Sequence, residues 1–117
     1  MRVLFVDDEA DARDIIGDAL RVYGFEVEIA ADGAAAIRAL EAEAFDAIVT
    51  DFRMPNGVDG IQVAEEARRK FPGVGVLIVS GYARAQLPAL PAGVRYMAKP
   101  YRLAQLISAL RALVQRR

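Results

Sequence analysis

Four short apolar runs, each stopping at a polar residue, constrain the fold of this chain more than anything else in it. Val3-Leu4-Phe5-Val6 runs into Asp7-Asp8, Ala47-Ile48-Val49-Thr50 into Asp51, Val76-Leu77-Ile78-Val79 into Ser80, and Val94-Arg95-Tyr96-Met97-Ala98 into Lys99-Pro100. Short β-branched runs separated by stretches of helical periodicity read as buried strands of a parallel sheet. In such sheets ligands bind beyond the carboxyl ends of the strands, where neighbouring loops converge. Asp7, Asp8, Asp51, Ser80 and Lys99 are therefore expected to meet in one pocket.

Between these runs the periodicity changes. From Glu9 to Tyr23, the residues Ile15, Ile16, Ala19 and Leu20 share one face, which predicts an amphipathic helix stopped by Gly24. Phe25-Glu26-Val27-Glu28-Ile29 alternates with period two and predicts an edge strand, polar on one side. Asp32 is placed to cap an alanine-rich helix running through Ile37 and Leu40. Pro55, Asn56-Gly57 and Asp59-Gly60 punctuate a loop after Asp51, and the helix that follows, over about 60–70, closes at Phe71-Pro72-Gly73. Pro88 and Pro91 leave room for only about two helical turns before Leu87. Leu103, Leu106, Ile107, Leu110, Leu113 and Val114 form one stripe of a last helix from Arg102 to about Gln115. The expected order is β-α-β-α-β-α-β-(short α)-β-α. With right-handed crossovers this is an α/β fold, a five-stranded doubly wound parallel sheet with helices on both faces and a shortened fourth helix. One domain over 1–117 is expected, with no output domain after the last helix.

Composition removes several chemistries. The chain has no cysteine and no histidine, so disulfides, thiolate nucleophiles, histidine acid–base catalysis and zinc sites of the usual type are excluded. Net charge is −1, which leaves no electrostatic footprint for nucleic acid. Arg116-Arg117 read as a solvated helix terminus that suits the macrodipole. The hydrophobic share is 55%, yet no apolar run reaches the length of a membrane span. The chain starts directly with a strand, so no secretory signal is expected, and the expected location is cytoplasmic, with no membrane or nucleic-acid partner.

Bringing Asp7, Asp8 and Asp51 together concentrates negative charge, and like-charged carboxylates raise one another's pKa unless a cation compensates. An all-oxygen set of hard ligands suits Mg²⁺, which commonly joins carboxylates to phosphate oxygens. Lys99 adds a point charge suited to phosphate and Ser80 a hydroxyl that can hydrogen-bond a phosphoryl oxygen. A carboxylate beside Mg²⁺ and a lysine is a constellation for phosphoryl transfer to Asp. Each element alone has a bland reading: an Asp after a strand is commonly a turn or cap residue, and Lys-Pro is a common loop dipeptide. Their joint occurrence at successive strand ends argues for a site.

Val6-Asp7-Asp8-Glu9, Asp51-Phe52-Arg53-Met54-Pro55 with Asp59-Gly60, Ser80-Gly81, and Tyr96-Met97-Ala98-Lys99-Pro100-Tyr101 together resemble the receiver domains of two-component response regulators, over nearly the whole chain. The resemblance implies a flavodoxin-like (βα)5 fold in which Asp51 accepts a phosphoryl group from a phosphohistidine on a sensor histidine kinase or histidine phosphotransfer protein. It implies Mg²⁺ held by Asp8, Asp51 and the backbone carbonyl of Arg53, with Asp7 acting through water. Lys99 would pair with the phosphoryl group, and its bond to Pro100 would be cis. Ser80 and Tyr96 would form the switch that biases a surface for an unnamed downstream protein. A receiver of this kind turns over no conventional substrate, so no enzyme is expected, and the oligomeric state is expected to be monomer or weak homodimer.

The sequence also departs from the pattern of that family. The loop after Asp51 has one residue more than usual before Asp59-Gly60, Ser80 stands where Thr is commoner, and the fourth helix is short. Tyr82, two past Ser80, is expected to face Arg53, two past Asp51, and to shield a phosphoryl group from water. Ser80-Gly81-Tyr82 with Lys99-Pro100-Tyr101 resembles a subset of receivers that work alone or attached to hybrid kinases. Three other classes compete with this reading. An aspartyl-phosphate phosphatase wants an Asp where Arg53 stands. A flavodoxin-type carrier wants a Ser/Thr-Gly-rich loop after the first strand. A receiver-like module that has lost phosphorylation predicts an eroded pocket.

Overall fold

Period-two alternation within the apolar runs divides each central strand between two faces, and the computed structural model shows both faces covered. It describes residues 1–115. The elements are β1 (Arg2–Val6), α1 (Ala10–Val22), β2 (Glu26–Ala30), α2 (Gly33–Ala42), β3 (Ala47–Asp51), α3 (Gly60–Lys70), β4 (Gly75–Ser80), a 3₁₀ turn (Arg84–Gln86), β5 (Arg95–Ala98) and α4 (Leu103–Gln115). All strand pairs are parallel, in the order β2-β1-β3-β4-β5. On one face Leu4, Val6, Ile48, Val76 and Ile78 pack against Ala36 and Leu40 of α2 and Val63, Ala64 and Ala67 of α3. On the other, Val3, Phe5, Val49, Leu77 and Val79 pack against Leu20 of α1 and Leu106, Ile107, Leu110 and Leu113 of α4. Each such fully buried Val or Leu contributes about 1.5–3 kcal/mol, and strands and helices share that burial.

The expected edge strand is β2, whose Glu26 and Glu28 are exposed. Its open edge is blunted by Arg21, whose guanidinium donates to the Val27 carbonyl at 2.8 Å. Asp32 caps α2 as expected, accepting from the Ala35 amide at 2.8 Å. Asp59 and Gln62 form a capping box at the start of α3. Among the described residues no helix is long and apolar enough to cross a membrane.

Two expectations are corrected. Ile15 does not join the buried face of α1 but is 67% exposed; the face on the sheet runs through Ile16, Gly17 and Leu20, and one residue along a helix turns the side chain by about 100°. The fourth helix is not two turns but the three-residue 3₁₀ turn Arg84–Gln86. The Gln86 side chain satisfies the Ala83 amide at 2.8 Å, and beyond Leu87 the prolines at 88 and 91 lack the amides a helix would need. Leu87 and Leu90 pack into the core in place of a helical face. The reading of Arg116-Arg117 as a helix terminus lies outside the described residues.

Candidate functional site

Strand register sets the site. Val6 pairs with both Ala30 and Thr50, Asp51 with Val79, and Ser80 with Ala98, so the polar residues closing four strands stand level along one edge of the sheet. The ladder continues one step past the strands: the Asp7 amide donates to Ala30, Phe52 to Val79 and Lys99 to Ser80, at 3.1, 3.0 and 2.8 Å. All five residues expected to converge do so. Asp51, Ser80 and Lys99, with exposed Asp8, line a pocket of about 200 Å³, and Asp7 lies beneath, buried. The larger groove, about 610 Å³ between Tyr23 and Leu103, Ile107 and Arg111 of α4, has no carboxylate in its lining.

Asp7 is fixed from both ends. Its carboxylate accepts the Glu9 amide at 2.9 Å, and its carbonyl accepts the Arg13 guanidinium at 2.9 Å. Arg13 carries no sequence signal for this task; it faces the site only because α1 starts directly after Asp8-Glu9. The Lys99 ammonium lies 2.6 Å from Asp51 and 3.6 Å from Asp7. Carboxylate oxygens of Asp7, Asp8 and Asp51 all lie within 4.8 Å of one another, a donor set of hard oxygens whose charge suits a small divalent cation.

Burial and like charge act together on this cluster. Burial pushes the Asp51 carboxyl up to about 7; Lys99 opposes this, and the charge of Asp7 adds to it. Burial disfavours the Lys99 ammonium, but its hydrogen bond to Asp51 and the charges of Asp51 and Asp7 outweigh that and raise its pKa. Tyr101 also belongs to this neighbourhood, its phenol pushed up to about 12 by burial and by the charges of Asp7 and Asp51, with Lys99 opposing. Only its place after Lys99-Pro100 could have flagged it.

The backbone approaches closely at Asp51. The Gly60 amide donates to the Phe52 carbonyl at 2.7 Å, and a Cβ at Gly60 would lie 2.3 Å from the Asp51 carbonyl oxygen, so only glycine fits there. Opposite, Ser80 is buried, and its hydroxyl accepts the Tyr82 amide at 3.0 Å. The Tyr82 carbonyl accepts the Tyr96 hydroxyl at 2.6 Å, joining half-buried Tyr96 to Ser80 through one residue. The Tyr82 ring lies 5.5 Å under the Arg53 guanidinium, the pairing expected across the mouth of the pocket. The Lys99-Pro100 peptide is cis.

The model of the response regulator receiver domain matches residues 3–111. The transcriptional regulatory protein PrrA of Mycobacterium tuberculosis is 39% identical over 121 residues, which cover 99% of this chain and 51% of that protein. The chain thus spans about half the length of the curated relatives it matches. Among solved structures, a response regulator receiver protein from Sinorhizobium medicae is 34% identical with a TM-score of 0.90, covering 98% of this chain and 94% of that one. The response regulator protein TrrA of Thermotoga maritima, solved with Mg²⁺ and BeF, is 27% identical with a TM-score of 0.83, covering 96% and 97%.

Proposed function

This chain belongs to the response regulator receiver domains of two-component signalling, and from that premise we propose that Asp51 is its phosphoacceptor. The observation that carries the reading is the convergence of Asp7, Asp8 and Asp51 oxygens within 4.8 Å, with the Lys99 ammonium 2.6 Å from Asp51. An Asp51 oxygen attacks the phosphorus of a phosphohistidine on a histidine kinase or phosphotransfer protein. The O–P bond forms as the N–P bond breaks, and the imidazole nitrogen keeps the electron pair. Asp8, Asp51 and the Arg53 carbonyl would hold Mg²⁺, with Asp7 beside them. When bound, the cation neutralises charge on the carboxylates and on the transferring oxygens. Lys99 pairs with the phosphoryl group from the other side. The chain processes its own phosphoryl group and turns over no separate substrate.

Ser80 and Tyr96 are the switch in this reading. Once Ser80 turns its hydroxyl to a phosphoryl oxygen, the Tyr82 amide loses its acceptor, and Tyr82 also carries the carbonyl that holds Tyr96. The phosphodonor approaches over α1, whose exposed Ile15 and Val22 offer an apolar patch beside Asp11, Asp14 and Asp18, and over the loop after Lys99. A downstream protein partner reads the surface around the 3₁₀ turn at Arg84–Gln86 and the last helix, α4.

The test is intact mass after incubation with acetyl phosphate. One phosphoryl adduct is expected with Mg²⁺ and none with EDTA; no adduct in either buffer would favour a phosphorylation-independent binding module. The Arg53–Tyr82 pair adds a kinetic expectation. Tyr82→Ala opens the mouth of the pocket to water, and an exposed cation–π contact is worth about 0.5–1 kcal/mol, so the phosphoryl half-life should shorten by roughly two- to fivefold. Equal half-lives for variant and wild type would remove Tyr82 from this role.

A further inference from the structure

The loop between β3 and α3 is docked onto the N-terminus of α2 through Asn56 and Val58. Asn56 and Gly57 both adopt left-handed backbone, at φ 72° and 81°, which turns the chain back so that Val58 lies against Gly33. The fit is tight: a Cβ at Gly33 would stand 2.5 Å from Val58 Cγ1 and 2.6 Å from the Val58 carbonyl oxygen. Asp32 divides its carboxylate between two tasks. One oxygen accepts the Ala35 amide at 2.8 Å and caps α2; the other accepts the Asn56 side-chain amide at 3.0 Å.

The Arg53 guanidinium over the Tyr82 ring and the Asp59–Gln62 capping box also hold this stretch. Its base is closed by Gly60 donating to Phe52, and Met54 packs on the core beside a long 3.9 Å contact between the Thr50 hydroxyl and the Met54 sulfur. Between Arg53 and Asp59, the Asn56–Asp32 hydrogen bond ties the loop to the start of α2, an element not adjacent to it in the chain. Arg53 lies between the closed base and this tie, so the direction of its carbonyl depends on both.

We propose that Asn56, acting through Asp32, is a positioning residue for the divalent cation: the clasp onto α2 holds the loop so that the Arg53 carbonyl is ready to bind it. This rests on the metal-dependent reading above. A loop that visits other conformations lowers the fraction of molecules competent to bind, and the apparent affinity falls by that fraction.

Isothermal titration calorimetry with Mg²⁺ alone tests this on the full chain. Asn56→Gly keeps the left-handed backbone and the net charge but removes the clasp, and should weaken Mg²⁺ binding by roughly three- to tenfold. The exchange Asp32→Asn with Asn56→Asp keeps total charge, leaves an oxygen to cap α2 and reverses the hydrogen bond; its affinity should return to within about twofold of wild type. Unchanged affinity in Asn56→Gly, even with a lowered melting temperature in EDTA, overturns the proposal and leaves the receiver reading intact. So does a weakened affinity that the exchange fails to restore. A wild-type chain that binds no Mg²⁺ overturns both.

Discussion

Asp51→Asn is expected to abolish the phosphoryl adduct entirely and to leave a metal-free protein more stable than wild type at pH 8. The first effect follows from chemistry: the amide has nearly the same shape but no anionic oxygen with which to attack phosphorus. The second follows from burial. The Asp51 carboxyl titrates near 7 in the folded chain, against an ordinary value of 3.8. A carboxyl raised on folding binds its proton more tightly in the folded state. Its stability contribution is therefore fully present below about pH 4 and is lost as pH rises through 7. In EDTA the wild type should lose roughly 1–3 kcal/mol between pH 5 and pH 8 from this group, and Asp51→Asn should lose none of it. Melting curves at the two pH values measure the difference; parallel losses would show that burial of Asp51 is compensated by something other than a bound cation.

Lys99→Met is expected to have the opposite effect in the same experiment. Methionine keeps much of the apolar stem and removes the ammonium that lies 2.6 Å from Asp51 and 3.6 Å from Asp7. Removing one partner of a buried ion pair costs about 3–5 kcal/mol when the pair is dry. Lys99 is 29% exposed, which scales this to about 2 kcal/mol, or a fall of ~8 °C or more in Tm for a domain of this size. The loss should be largest at pH 8 in EDTA, smaller at pH 5 where Asp51 is protonated, and partly reversed by Mg²⁺, which replaces the missing positive charge. A Tm that falls equally at both pH values would mean that lost packing, and not uncompensated charge, is the cause.

Much of the molecule could be read directly from the chain, for identifiable reasons. The strands were legible because they are buried on both faces, which demands uninterrupted apolar runs such as Val76 to Val79. The last helix was legible because its stripe from Leu103 to Leu113 serves a single flat surface. The helix caps at Asp32 and Asp59 obey local rules that need no tertiary information. Ile15 was misplaced because the exposed apolar side chain sits one residue from a buried one, and periodicity over four turns does not resolve a neighbouring face. The two helical turns expected before Leu87 exceed the 3₁₀ turn that forms there, because proline sets an upper bound on helix length and not the length itself.

The five polar residues at the strand ends are visible in the sequence because a parallel sheet places every strand's carboxyl end on one edge, so order along the chain becomes proximity in space. Their geometry was not visible. That Lys99 leans on Asp51 more than on Asp7, that Arg13 holds the Asp7 carbonyl, and that Tyr82 joins Ser80 to Tyr96 depend on register and on which way loops fold back. The clasp between Asp32 and Asn56 joins residues 24 positions apart, through a turn whose left-handed pair Asn-Gly permits but whose direction it does not dictate. The sheet, its two cores and the polar residues at the strand ends follow from residue order, because burial and backbone sterics act locally and repeat along the chain. Tertiary structure alone decided the distances and partners among those groups, because angstrom-scale placement of a side chain depends on contacts made by residues far away in sequence.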